Sequence, residues 1–203
     1  MNPDVPTVPD EPASPAVPRG TANPAARITD AQRSMHLVEL AREIERYVAT
    51  EGWDQNPRLF ALARSVDLVA LEPDLADAIG PAAHDPESLT PIEQDALDHG
   101  RDLDDVLATT MWPDDVAGAA LVLERLVLPP SAEGTLPDED RSALEQAVAE
   151  HPDRRDVRMV VVVTRDGRRM CALRLRTYDD DADVLVGEDL VPRLADALGA
   201  TLA

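Results

Sequence analysis

Eight arginines fall between positions 154 and 176 against only Asp156 and Asp166, in a chain whose formal net charge is -21. Guanidinium groups grip carboxylates and phosphates through paired N–H donors, so such an island is a candidate anion-binding surface. The runs Val157 to Arg165 and Arg168 to Arg176 flank Asp166-Gly167, a pair suited to the two-residue turn of a β-hairpin. That register puts Val160, Val162, Cys171, Leu173 and Leu175 on one face. Arg165, Arg168, Arg174 and Arg176 then share the opposite face, close enough to act together on one anion. These four are the expected site, for a protein partner or for a phosphorylated or carboxylated metabolite. The competing reading has them pointing outward and neutralised by the chain's own acidic helices.

Other candidates carry less. Asp179, Asp181 and Asp183 have the alternating carboxylates that open a calcium loop, but Val184 stands where the loop needs glycine and Leu190 where it needs the bidentate glutamate. Trp112-Pro113-Asp114-Asp115 places two carboxylates beside an aromatic ring, yet consecutive side chains point apart, so a helix stop and cap is the simpler reading. His36, His84, His99 and His151 share no metal-ligand spacing. Cys171 sits on an apolar strand face and reads as a small core residue. No catalytic residues, metal ligands or cofactor are expected, and the reading leans away from an enzyme.

Composition narrows the classes further. All 19 basic residues are arginine, which removes lysine Schiff-base chemistry and lysine-dependent phosphate loops. The nine glycines lie at least 12 positions apart, so no glycine-rich phosphate cradle can form. The acidic balance argues against nucleic acid, which needs a basic footprint. A single cysteine points to a reducing, cytoplasmic setting. The start Met1-Asn2-Pro3-Asp4 lacks a basic, apolar leader, and no apolar run reaches membrane-spanning length, so no membrane partner is expected.

The elements that must position the arginines follow from periodicity. Prolines at 3, 6, 9, 12, 15 and 18 mark residues 1–28 as a disordered proline-rich tail, leaving a single domain over 29–203. Thr29 and Gln32 have capping-box spacing ahead of a helix with Leu37, Leu40, Ala41, Ile44 and Val48 on one stripe, ending near Gly52. Arg58 to Ala63 reads as a strand, Ser65 as a cap for a helix that Pro73 interrupts, and Thr90-Pro91 as a helix start. Asp102 opens another helix, ended at Trp112-Pro113. Ala119 to Leu128 is apolar on both faces and reads as a central strand. A helix over Asp138 to Glu150 follows, inside a 28-residue connection long enough for a crossover making the flanking strands parallel. Val184 to Val186 reads as a short strand and Asp189 to Leu198 as a closing helix.

The stretches Gly52 to Leu62, Trp112 to Pro130, His151 to Val157 and Asp189 to Pro192 resemble a family of small acidic actinobacterial proteins without an assigned activity. The resemblance spans roughly residues 29 to 203 and implies a cytoplasmic protein; Ala119 stands where relatives carry cysteine, so no thiol pair is implied. The expectation is an α+β domain with a mixed, mainly antiparallel sheet and helices packed mostly on one face. Its expected role is a non-enzymatic protein-interaction module, in the manner of an adaptor or small chaperone. The alternative is a metabolite-binding or catalytic protein that uses the hairpin arginines.

Overall fold

Thr29 caps the first helix reciprocally. Its side chain accepts from the Gln32 N–H while the Gln32 side chain accepts from the Thr29 N–H, so two N-terminal donors are satisfied. The helix, α1 (Asp30–Ala49), buries Leu37, Leu40, Ala41, Ile44 and Val48 as its periodicity predicts, and with them Glu45. The computed structural model describes residues 29–95, 97, 102–128, 146–147 and 150–203. The proline-rich tail and most of the helix expected over Asp138–Glu150 lie outside these.

Among the described residues six strands form one sheet: β1 (Arg58–Arg64), β2 (Leu89–Glu93), β3 (Gly118–Val127), β4 (Arg155–Thr164), β5 (Arg169–Leu175) and β6 (Leu185–Gly187). Their order is β2-β1-β3-β4-β5-β6, and every neighbouring pair is antiparallel. The class is α+β as expected, but the sheet is not mixed. A long connection permits a parallel crossover without requiring one; here β3 and β4 are direct neighbours, paired from Gly118 with Thr164 to Val127 with Arg155.

These two strands are apolar on both faces, so both faces need a cover. One core joins α1 to Phe60, Leu62, Ala120, Val122, Val160, Val162, Met170 and Ala172. The other joins α4 (Leu103–Thr109) and α5 (Pro192–Ala200) to Leu59, Ala119, Leu121, Leu123, Val161, Val163 and Cys171. Helices therefore cover both faces rather than mostly one. Between β1 and β2 the chain passes through α2 (Ser65–Leu71) and α3 (Ala76–Ile79), separated by the Pro73–Leu75 turn that the proline predicts.

Three local readings are corrected. Ser65 is not a cap but the first residue of α2; its buried hydroxyl is tied to Ser88 and Thr90 instead. Thr90-Pro91 begins no helix and lies in β2. The bonds from Ser65 N–H to Ser88 and from Gln94 N–H to Leu59 set the phase of that ladder, which turns Pro91 toward the free edge. There it sacrifices no ladder bond and blunts the edge against pairing.

The hairpin turn is also one residue longer than Asp166-Gly167. Arg165, Asp166 and Gly167 form the loop, Gly167 N–H bonds to Thr164, and Gly167 takes the left-handed φ of 84° that such a loop requires. A one-residue slip reverses which side chains share a face. Cys171 pairs with Val161 rather than Val162, so Val160 and Val162 face α1 with Met170 and Ala172, while Cys171 and Leu173 face the other way.

Gly118 begins β3 where a side chain has no room, since an added Cβ would lie 2.5 Å from the Val163 carbonyl oxygen. Replacement by alanine must displace backbone, so Gly118→Ala should destabilise by about 1–3 kcal/mol in urea denaturation. Gly199 in α5 would bring its Cβ only to 3.5 Å from Val163. Gly199→Ala should be neutral or mildly stabilising by comparison.

Candidate functional site

The register places the four expected arginines at two ends of the hairpin. Arg165 and Arg168 lie at the turn; Arg174 and Arg176 lie at the far end of β5. Arg165 donates to the carbonyls of Trp112, Pro113, Val116 and Leu202, so one guanidinium ties the segment before β3 to the C-terminus. Arg168 closes onto Asp166 at 2.6 Å. Arg176 forms a two-pronged bond to Asp54 at 2.8 Å. Arg174 is 3% exposed and grips both oxygens of Glu45 at 2.6 Å. Each of the four is thus engaged within the chain.

Arg174 belongs to a buried charge centre. Cross-strand pairing sets it directly opposite Arg158, which is 1% exposed, so two like charges stand side by side in the α1 face of the sheet. Such a pair is tolerable only with close counter-charge. Glu45, also 1% exposed, supplies it from α1, lying 3.5 Å from Arg158 as well as on Arg174. Glu124 on β3 completes it, bonded to Arg158 at 2.8 Å. Two arginines and two glutamates balance.

Over this centre lies the loop that follows α1. Gly52 offers its carbonyl to Arg158, and the Asp54 N–H bonds to Glu124 at 2.7 Å. Gly52 and Asp54 both take left-handed φ values, 83° and 68°, the second uncommon outside glycine. The Trp53 ring stacks 4.4 Å from the Arg158 guanidinium and 5.5 Å from that of Arg176, and its indole N–H donates to Asp179. Asp179 and Asp181 reach Arg174 from the other side. The first two carboxylates of the D-x-D-x-D run therefore serve guanidinium contacts. Among the described residues no group of three or more His, Cys, Asp and Glu is placed to hold a metal.

Ion pairing sets the titration behaviour. The hydrogen bond from Arg176 holds the Asp54 carboxyl below its ordinary range, and that from Arg174 does the same for Asp181. Arg58 likewise depresses Glu93 against an opposing push from burial. Burial raises the Cys171 thiol, which lies in the second core without access to solvent.

At the turn end of the hairpin a cleft of about 830 Å³ opens between α1, the 82–89 segment and the loops before β3 and after β4. Leu37, Leu40, Leu89 and Ala117 give it apolar surface. Arg33 pairs with Glu87 and His36 faces Asp85 at 3.6 Å across it. Glu39, Glu43, Asp67, Asp114 and Asp115 line the same cleft and have no cationic partner among the described residues. Arg64, Arg165 and Arg168 line it as well, yet with Asp166 the carboxylates of its walls still outnumber the bases.

A family described as PPA1309-like protein matches residues 37–203, which takes in every strand and both faces of the core. The chain belongs to the PPA1309-like family. No curated protein and no solved structure matches it. The PPA1309-like match begins within α1 and includes both Glu45 and the arginines it holds.

The arginine reading overlooks Glu45, Glu124, Arg158, Trp53 and Asp54. Two signals were present. Glu45 stands four residues after Ala41 and three before Val48, on the apolar stripe of α1, where an acid has no reason to be unless it meets a base. Arg158 alternates with Val160 and Val162, an inward position in a buried strand.

Glu45→Gln should cost about 3–5 kcal/mol in urea denaturation, because it leaves two buried arginines under-neutralised. Asp54→Asn, at an exposed pair, should leave the midpoint nearly unchanged. Depressed carboxylates stabilise fully above the ordinary carboxylate range and lose that contribution as pH falls through their lowered values. Stability should therefore be flat near neutrality and fall only in acid below that range; a steep loss already between pH 7 and 6 would contradict the assignment.

Proposed function

We propose that the protein is a non-enzymatic interaction module, an adaptor whose acidic cleft receives a cationic segment of a protein partner. The observation that carries this reading is a set of carboxylates without a cationic partner among the described residues, Glu39, Glu43, Asp67, Asp114 and Asp115, drawn from three parts of the chain around one open cleft with apolar surface. Unpaired acids at this density repel one another, and a bound arginine- or lysine-containing segment relieves that repulsion while its apolar side chains meet Leu37, Leu40 and Leu89. A cytoplasmic setting goes with this reading, supported by the lone buried cysteine, and an actinobacterial origin is what the resemblance to small acidic actinobacterial proteins implies. No described helix is long and apolar enough to cross a membrane.

The test is calorimetric titration with an arginine-rich synthetic peptide and its acidic counterpart. The cationic peptide should bind saturably, weaken as salt rises, and lose about tenfold or more in affinity with Glu39→Gln, Glu43→Gln and Asp67→Asn combined. The melting temperature of that variant should change little, since none of the three side chains makes an ion pair or hydrogen bond among the described residues. Equal binding of both peptides, or no saturation with either, would overturn the reading.

A further inference from the structure

The acidic cleft begins where the chain enters the fold. Of the α1 residues that line it, Arg33 stands four positions after the Thr29 cap, and Glu43 is the furthest along, about 21 Å from that cap at the rise of an α-helix. Directly before the cap lie residues 19–28, which hold Arg19 and Arg27, no acid, and the small residues Ala22, Pro24, Ala25 and Ala26 between them. Residues 1–18 have the opposite character, with Asp4, Asp10 and Glu11 and no base. The positive side chains of the proline-rich tail are thus confined to the stretch tethered beside the cleft.

We propose that residues 19–28 fold back along α1 and occupy the cleft as an internal ligand, which an external cationic segment must displace. The inference rests on the cleft being a site for cationic segments, and adds what fills that site before a partner arrives. Length permits it, because ten extended residues reach about 33 Å, more than the wall they have to follow. Tethering favours it, because a segment joined to the domain by its own backbone meets the cleft at an effective concentration on the order of millimolar and needs little intrinsic affinity. Charge selects this stretch over the rest of the tail, since the first 18 residues would bring three more carboxylates into an acidic cleft. Arg19 has the reach to meet Glu39 and Glu43, which have no cationic partner among the described residues. Arg27, two positions before the cap, stays at the near end, where Asp85 and Glu87 already face His36 and Arg33. Arg19 is therefore the principal contact.

The test is calorimetric titration of the full chain with the arginine-rich synthetic peptide. Arg19→Gln with Arg27→Gln should tighten binding about tenfold by removing the competitor, with Arg19→Gln alone giving the greater part. Arg125→Gln with Arg193→Gln makes the same change in net charge at exposed residues that do not line the cleft, and should tighten it far less. Docking is also read directly by trypsin. In the parent chain the Arg19–Gly20 bond should be cut severalfold more slowly than in the chain carrying Glu39→Gln, Glu43→Gln and Asp67→Asn. Unchanged affinity in the tail variant, equal tightening in the charge-matched control, or equal cleavage of that bond in the two chains would each overturn the proposal and leave the cleft reading standing. No binding of the peptide by the parent or by the tail variant would overturn both.

Discussion

One carboxylate, that of Glu45, holds the α1 face of this protein together. Arg158 and Arg174 are placed opposite each other by the β4–β5 register and are almost wholly withdrawn from water. Without Glu45 the two charges would repel each other in a medium that screens them poorly. With it, α1 is fixed at one position along the sheet, because a helix shifted by a turn would carry its acid away from both partners. The apolar contacts of Leu37, Ile44 and Val48 supply most of the attraction between helix and sheet but set its register only loosely. The charge centre supplies the register.

Two regions of the surface depend on that placement. The first half of α1 forms a wall of the acidic cleft, and its second half carries Glu45 and leads into the Trp53 loop. Arg165 does comparable work at the turn end of the hairpin, where its bonds to four carbonyls tie the loop before β3, beside the cleft, to the C-terminus. The basic island of the hairpin is thus consumed largely inside the chain. The net negative charge is displayed instead on segments such as 65–95 and 102–115, which carry acids and no arginine, whereas the exposed acids of α1 are matched by Arg33, Arg42 and Arg46.

Much of the fold was legible in the residues. Capping at Thr29, the α1 stripe, the interruption at Pro73, the short strand before α5 and the doubly apolar centre of the sheet all follow from local chemistry. The misreadings have specific physical causes. Thr90-Pro91 has the chemistry of a helix start, but edge pairing to β1 prevails because a proline facing outward costs a strand nothing. Asp-Gly suits a two-residue hairpin turn, whereas Thr164 and Gly167 close a three-residue loop, which puts Cys171 and Val162 on opposite faces. The site was half legible. Clustered arginines are visible in a sequence, but whether their counter-charges are internal depends on pairings across as many as 129 positions, as between Arg174 and Glu45.

The central claim is that Glu45 and Arg174 act as a unit, and a double-mutant cycle tests it most directly. Urea denaturation of the parent chain, Glu45→Gln, Arg174→Met and the double variant would give the coupling free energy between the two side chains. The account predicts about 2 kcal/mol or more, with the double variant far less destabilised than the sum of the single changes. Effects that add to within about 0.5 kcal/mol would contradict it, and would leave α1 held by its apolar stripe alone.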